Sequence, residues 1–265
     1  MSIAPALGLT LVAPAVALQA QTEETSPSTR VSTQGSSATQ NEQQGQEDAG
    51  KSAGYARPFR STSWWNTPLG RAPRDPHSGA YIRDSRNRAH TQNYLKLVLG
   101  DWGMPSYRSD RSDPLYRINP ASGPSMRVHI PAHATQMRAD DASLSIVDTR
   151  THKVVGLSGA NFKGGRWTAT GASRYFIRSN GVEESLPGGT KGNQGHRGIP
   201  SSTQVVTKRE IRRGAIRHRL EVYWWETASR TPRGRDAYFP MPNSESGKNG
   251  IVPEGIVLRI KRSVD

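Results

Sequence analysis

Eliminative cleavage of a uronic-acid polymer needs three parts: a cation to neutralise the sugar carboxylate, a base to remove the C5 proton and an acid for the leaving oxygen. His196, Arg197, His218 and Tyr223 offer those side chains within one short stretch of chain, and they are the expected catalytic group. Tyr175, Trp65, Asn66 and Glu210 are the expected substrate contacts. His196 and Arg197 stand in a Gly-His-Arg-Gly turn within the glycine-rich segment 180–202. Loops of that length inside compact domains tend to be functional or disordered. His218 lies in GAIRHRLEVYWWE, residues 214–226, where counting by twos puts it beside Ile216, Leu220, Val222 and Trp224. A histidine on an apolar strand face is either a hydrogen-bonded core residue or a base, and both readings stay open.

Other chemistries find less. No G-x-S-x-G, H-E-x-x-H, P-loop or Rossmann glycine pattern occurs, so no cofactor is expected. Inverting or retaining glycoside hydrolysis needs two facing carboxylates. Asp140, Asp141, Asp148, Glu183, Glu184, Glu210 and Glu221 are available, but no spacing pairs them. His129 and His133 have the i, i+4 spacing of a helical metal pair, yet Pro131 between them breaks a helix. No metal site is expected. Without cysteine there is no disulfide, thiol nucleophile or thiolate site.

The elements that must position these residues read as short strands. Met126, Val128 and Ile130 alternate with Arg127 and His129, and the runs 141–148 and 152–158 flank a DTRT turn as a hairpin. Residues 166–179 carry one or two further strands, and 214–226, 235–242 and 255–264 complete the set. A short helix is expected over 89–100, ended by Gly100, and another over 207–214, stopped by Gly214. The paired tryptophans of 57–70 read as an anchored arm rather than a regular element. With 26 Gly, 18 Pro and so many short strands, the expected fold class is all-β: a single β-sandwich or jelly roll with one or two short helices.

Charge and hydropathy divide the chain into three. Residues 1–20 are uncharged and apolar, with Ala15-Val16-Ala17 as an A-x-A site and Ala20 as a second; they read as a secretory signal. Residues 21–54 are a polar linker with almost nothing to bury, expected to be disordered. The linker's net −3 against the whole-chain +14 leaves +17 on residues 55–265, the expected folded domain. Its cations are scattered, and no helix-turn-helix, zinc-finger or RNP pattern organises them for nucleic acid. An acidic polysaccharide or anionic cell-wall polymer is the expected partner of a basic exported surface. No segment is expected to span a membrane, and a monomer is expected.

Glu210, Ile211, Gly214, Ile216, His218 and Leu220 form an E-I-x-x-G-x-I-x-H-x-L signature. Ser63, Trp65, Asn66, Thr67 and Pro68 resemble a Ser-Pro-Trp-Asn-type start, with Trp64 at the place of its proline. Together with Gly195-His196-Arg197-Gly198 and an ending through Pro253, Gly255, Arg259 and Lys261, the chain resembles a group of uncharacterised secreted actinobacterial proteins from Arg57 to Asp265. Many members of that group carry a histidine after an Asp in the mid-chain strand; this chain departs from that pattern, reading ADDASLSIVD, so no catalytic role is carried over to the region. The candidate residues and the basic charge leave open a polysaccharide lyase or related carbohydrate-active enzyme and, as the alternative, a non-catalytic wall- or polysaccharide-binding module; the resemblance implies only an exported, β-rich, carbohydrate-associated protein. It supplies no reaction.

Overall fold

The computed structural model describes residues 8–11, 58–70, 72–88, 100–222, 224, 226–231 and 234–260. Its elements run β1 Gly8–Leu11, α1 Ser78–Arg88, β2 Ser106–Ser109, β3 Leu115–Ile118, β4 Met126–His129, β5 Leu144–Asp148 and β6 Lys153–Ser158. They continue through β7 Asn161–Lys163, β8 Arg166–Thr168, β9 Gly171–Phe176, α2 Lys208–Arg213, β10 Thr227–Ala228, β11 Val252–Pro253 and β12 Val257–Ile260.

The chain is strand-rich with few helices. The largest sheet has four strands in the order β2-β5-β6-β9, with β2 parallel to β5 and the other pairs antiparallel. The remaining sheets are two-stranded, so all are small and open, and a sandwich or jelly roll is a finer reading than they carry. The expected hairpin is β5–β6, with Asp148 opposite Lys153 across its turn.

Alternation along β5 and β6 divides the core between the two faces of this sheet. Leu144, Ile146, Val155 and Leu157 bury one face against Ile118, Met126, Val128, Ile130 and Trp167. Val147, Val154 and Tyr175 bury the other against Phe59, Trp65, Ile177 and Ile199. Every residue of β5 is buried, and its two polar members are satisfied within the chain, Ser145 at the Ser201 hydroxyl and Asp148 at the backbone N–H of His129. The arm is stitched down where expected: Arg60 Nε donates to Arg178 O and Ser63 Oγ to Asn180 O.

Three expectations are corrected. Residues 215–222 form no strand, because Gly214 takes the left-handed conformation that ends α2 and the following chain pairs with no neighbouring strand. Within 235–242, the described residues are turns and irregular backbone. The glycine-rich segment 180–202 is not a free loop: it crosses the second face of the sheet, where Gln194 bridges to Arg174 and Ile199 enters the core. Of the helix expected over 89–100, residues 89–99 lie outside the described residues, while α1 forms just before it. β1 runs parallel to β12 with Gly8 opposite Val257, a pairing that cleavage after Ala17 or Ala20 would remove.

Candidate functional site

Helix α2 is built by its own sequence. Thr207 is the N-cap: its Oγ1 accepts from Glu210 N at 3.2 Å, and Glu210 Oε2 accepts from Thr207 N at 2.9 Å, a capping box. Gly214 at φ 63° closes the other end, its N–H turned back to the carbonyls of Glu210 and Ile211. The chain then returns, and His218 Nε2 meets the second carboxylate oxygen of Glu210, Oε1, at 2.9 Å. Both side chains are buried, at 8% and 7% exposure. His218 Nδ1 faces the carbonyl of Arg219 at 2.9 Å, and a carbonyl can only accept, so Nδ1 carries a hydrogen. Both ring nitrogens of His218 therefore face partners within the protein. Glu210, expected to touch substrate, instead spends both oxygens on Thr207 and His218.

His196 and Arg197 form a separate network. Arg197, at φ 55°, reaches Glu254 through Nη1 and Glu245 through Nη2, the latter at 2.8 Å, while Thr227 Oγ1 donates to the far oxygen of Glu254 at 2.8 Å. Arg197 Nε donates to His196 Nε2 at 3.0 Å. Burial, followed by the adjacent Arg197 charge, holds His196 below the ordinary histidine value, in keeping with a ring nitrogen that accepts. The guanidinium that was to neutralise a uronate is occupied by two carboxylates of its own chain. None of these bonds joins the His196–Arg197 network to the His218–Glu210 pair.

The expected substrate contacts lie in the core. Tyr175 is fully buried, with Gly195 packed over its ring; burial, then the charge of Glu183, pushes its hydroxyl far above the ordinary tyrosine range. Trp65 is buried and donates from Nε1 to Gly181 O at 2.6 Å. Asn66 is buried and gives both Nδ2 hydrogens to the carbonyls of Phe59 and Arg60. No substrate reaches these three without opening the arm. Tyr223 lies outside the described residues. His129 and His133 do not converge: His129 Nδ1 lies 3.1 Å from buried Asp148, whereas the His133 ring meets Tyr107 edge-on. A concavity at Ser229, Arg230, Asp236, Ser244, Ser246 and Gly247 is lined by none of the expected site residues.

One surface grouping was not legible beforehand. Arg219 follows His218 directly, and its guanidinium lies 3.8 Å over the Trp64 ring. Arg219 Nη2 donates to Thr67 O at 3.1 Å and Arg219 N to Trp65 O at 2.9 Å, which hold the guanidinium in place. Phe239 meets Trp64 edge-on with centroids 5.8 Å apart and is 42% exposed. A cation and two aromatic rings thus share one half-open surface. The adjacency of Trp64 to the anchored Trp65 hinted that one ring faces outward; nothing local pointed to Phe239, which arrives from the far end of the chain.

The chain matches no family model, no curated protein and no solved structure. What the site can do therefore follows from its own side chains. Among the described residues no helix is long and apolar enough to cross a membrane, and no three His, Asp or Glu side chains converge on a point.

Proposed function

We propose that this chain is an exported, β-sandwich-like monomer that binds an acidic polysaccharide of the cell wall or environment without cleaving it. The observation that carries the reading is the Arg219–Trp64–Phe239 grouping. Aromatic faces accommodate the C–H faces of sugar rings, and the positive charge of the arginine held beside them attracts a sugar carboxylate. The +17 charge of residues 55–265 would draw such a polymer to it. The resemblance to secreted actinobacterial proteins and the apolar first twenty residues support export.

Binding is preferred to elimination because the expected lyase machinery is committed elsewhere. Both ring nitrogens of His218 are engaged within the chain, Arg197 is held by Glu245 and Glu254, and Tyr175 is sealed. The full chain should be passed over immobilised polygalacturonate and over a neutral glucan at rising salt, with the flow-through polymer monitored for the ultraviolet absorbance of unsaturated uronates. Salt-sensitive retention on the acidic polymer alone, with no new absorbance, supports the reading. Release of unsaturated uronate would replace it with the lyase, and equal retention on both polymers would remove the acidic-sugar specificity.

A further inference from the structure

The segment from Lys208 to Arg217 projects from the domain: every residue in it except Glu210 is exposed. Its sequence, KREIRRGAIR, carries Lys208, Arg209, Arg212, Arg213 and Arg217 against one acid. That acid is turned inward and used by Thr207 and His218. Among the described residues, no carboxylate pairs with Lys208, Arg212, Arg213 or Arg217. Between these cations stand two isoleucines, Ile211 at 60% and Ile216 at 43% exposure.

Single exposed isoleucines are ordinary on protein surfaces. Two of them interleaved with five cations on one projecting turn are a different arrangement. The cations suit any polyanion, but a soluble sugar-acid polymer offers the isoleucines no apolar medium. An anionic bilayer offers both, with headgroup charge at the level of the guanidinium groups and acyl chains just beneath. We infer that the Lys208–Arg217 turn is a membrane-surface anchor that seats Ile211 and Ile216 in the interface of an anionic lipid bilayer, with its cations at the headgroups. This goes beyond polysaccharide binding and uses different side chains from the Arg219–Trp64–Phe239 surface. The Glu210–His218 pair gives the anchor its form. It holds the chain after Gly214 against α2, so that both isoleucines are presented from a fixed turn.

The test is co-sedimentation of the full chain with vesicles of mixed phosphatidylglycerol and phosphatidylcholine, and with phosphatidylcholine alone. Three proteins are compared: the natural chain, Ile211→Ser with Ile216→Ser, and Arg212→Gln with Arg213→Gln. All altered side chains are exposed, and unchanged thermal unfolding verifies each fold. The natural chain should pellet with the anionic vesicles only. The isoleucine variant should bind them about tenfold more weakly, from the lost apolar insertion, yet keep its retention on polygalacturonate. The arginine variant should lose vesicle binding by at least about tenfold. Vesicle binding unchanged by the isoleucine replacements would overturn the inference, leaving only adsorption of charge, as would failure of the natural chain to pellet. An isoleucine variant weakened equally on polygalacturonate would also overturn it. Loss of polygalacturonate retention by the natural chain, with vesicle binding intact, would count against the polysaccharide reading and leave the anchor standing.

Discussion

Glu210 Oε1 and His218 Nε2 meet at 2.9 Å across the Gly214 turn, and this one contact turns a residue that reads as a catalytic candidate into a fastener. Removing the ring would leave the Glu210 carboxylate buried, with only Thr207 to satisfy it. Breaking one half of a buried pair costs about 3 kcal/mol. His218→Ala should therefore lower the unfolding free energy obtained from urea titration by that amount, while retention on polygalacturonate per folded molecule stays near that of the natural chain. A variant that unfolds normally but loses all function would restore the catalytic reading.

Two glycines should respond to alanine for different reasons. At Gly214, φ is 63° and nothing lies within 4 Å of an added Cβ, so Gly214→Ala bears only the backbone cost of the left-handed region, about 1 kcal/mol. Gly195 has extended backbone at φ −170°, but a Cβ there would lie 2.9 Å from Ser173 Cβ and 3.0 Å from the Tyr175 ring and hydroxyl. Gly195→Ala should cost about 1–3 kcal/mol through overpacking. Equilibrium unfolding of the two variants checks both the sizes and the order.

Tyr175→Phe is expected to be neutral or stabilising. The hydroxyl is buried without a hydrogen-bond partner among the described residues, so its removal recovers a desolvation cost of about 1 kcal/mol or more and opens only a small space. Calorimetry of the variant should show a melting temperature equal to or above that of the natural chain. A marked fall would mean that the hydroxyl has a partner on folding.

Acid should weaken the fold in part through Asp148. Burial opposes its ionisation, but the backbone N–H groups of His129 and Thr151, with the His129 ring beside the carboxylate, outweigh that and hold the carboxyl below the ordinary aspartate value. The folded chain therefore binds this proton less readily than the unfolded chain. The contribution is fully present above the ordinary aspartate value and is lost as pH falls through the lower folded-state value. Urea midpoints measured between neutral and acid pH should fall less steeply in Asp148→Asn, which starts from a lower midpoint at neutral pH.

Phe239→Ala tests the sugar surface without touching the core. The ring is 42% exposed and contributes an edge contact to Trp64, so its loss should hardly move the unfolding transition. Retention on polygalacturonate should weaken by roughly fivefold, the worth of about 1 kcal/mol of aromatic contact. Unchanged retention would place the sugar contact elsewhere on the basic surface.

Much of the scaffold could be read before any coordinates. The β5–β6 hairpin followed from alternation on either side of a turn, and α2 from its glycine stop, because neighbours in sequence make those contacts. The 214–226 segment misled for the same reason. Its period-two pattern was real, yet a strand needs an edge to pair with, and the left-handed Gly214 sends the chain back toward Glu210 instead. Tyr175, Trp65 and Asn66 looked like contacts by residue type, but burial is set by distant segments: the arm at Phe59, the crossing chain at Ile199 and the sheet between them.

By itself, then, the sequence determined a cysteine-free, strand-rich chain with its positive charge concentrated after residue 54, its hairpin and the short helix that Gly214 stops, since composition and near-neighbour geometry suffice for these. Only the tertiary structure decided which candidates face solvent. His218 went inward because a carboxylate eight residues earlier was waiting for it, Arg197 was claimed by Glu245 and Glu254 from the far end of the chain, and Arg219 came to lie on Trp64. A buried charge must find its partner wherever the fold places one, and that partner is seldom its neighbour in sequence.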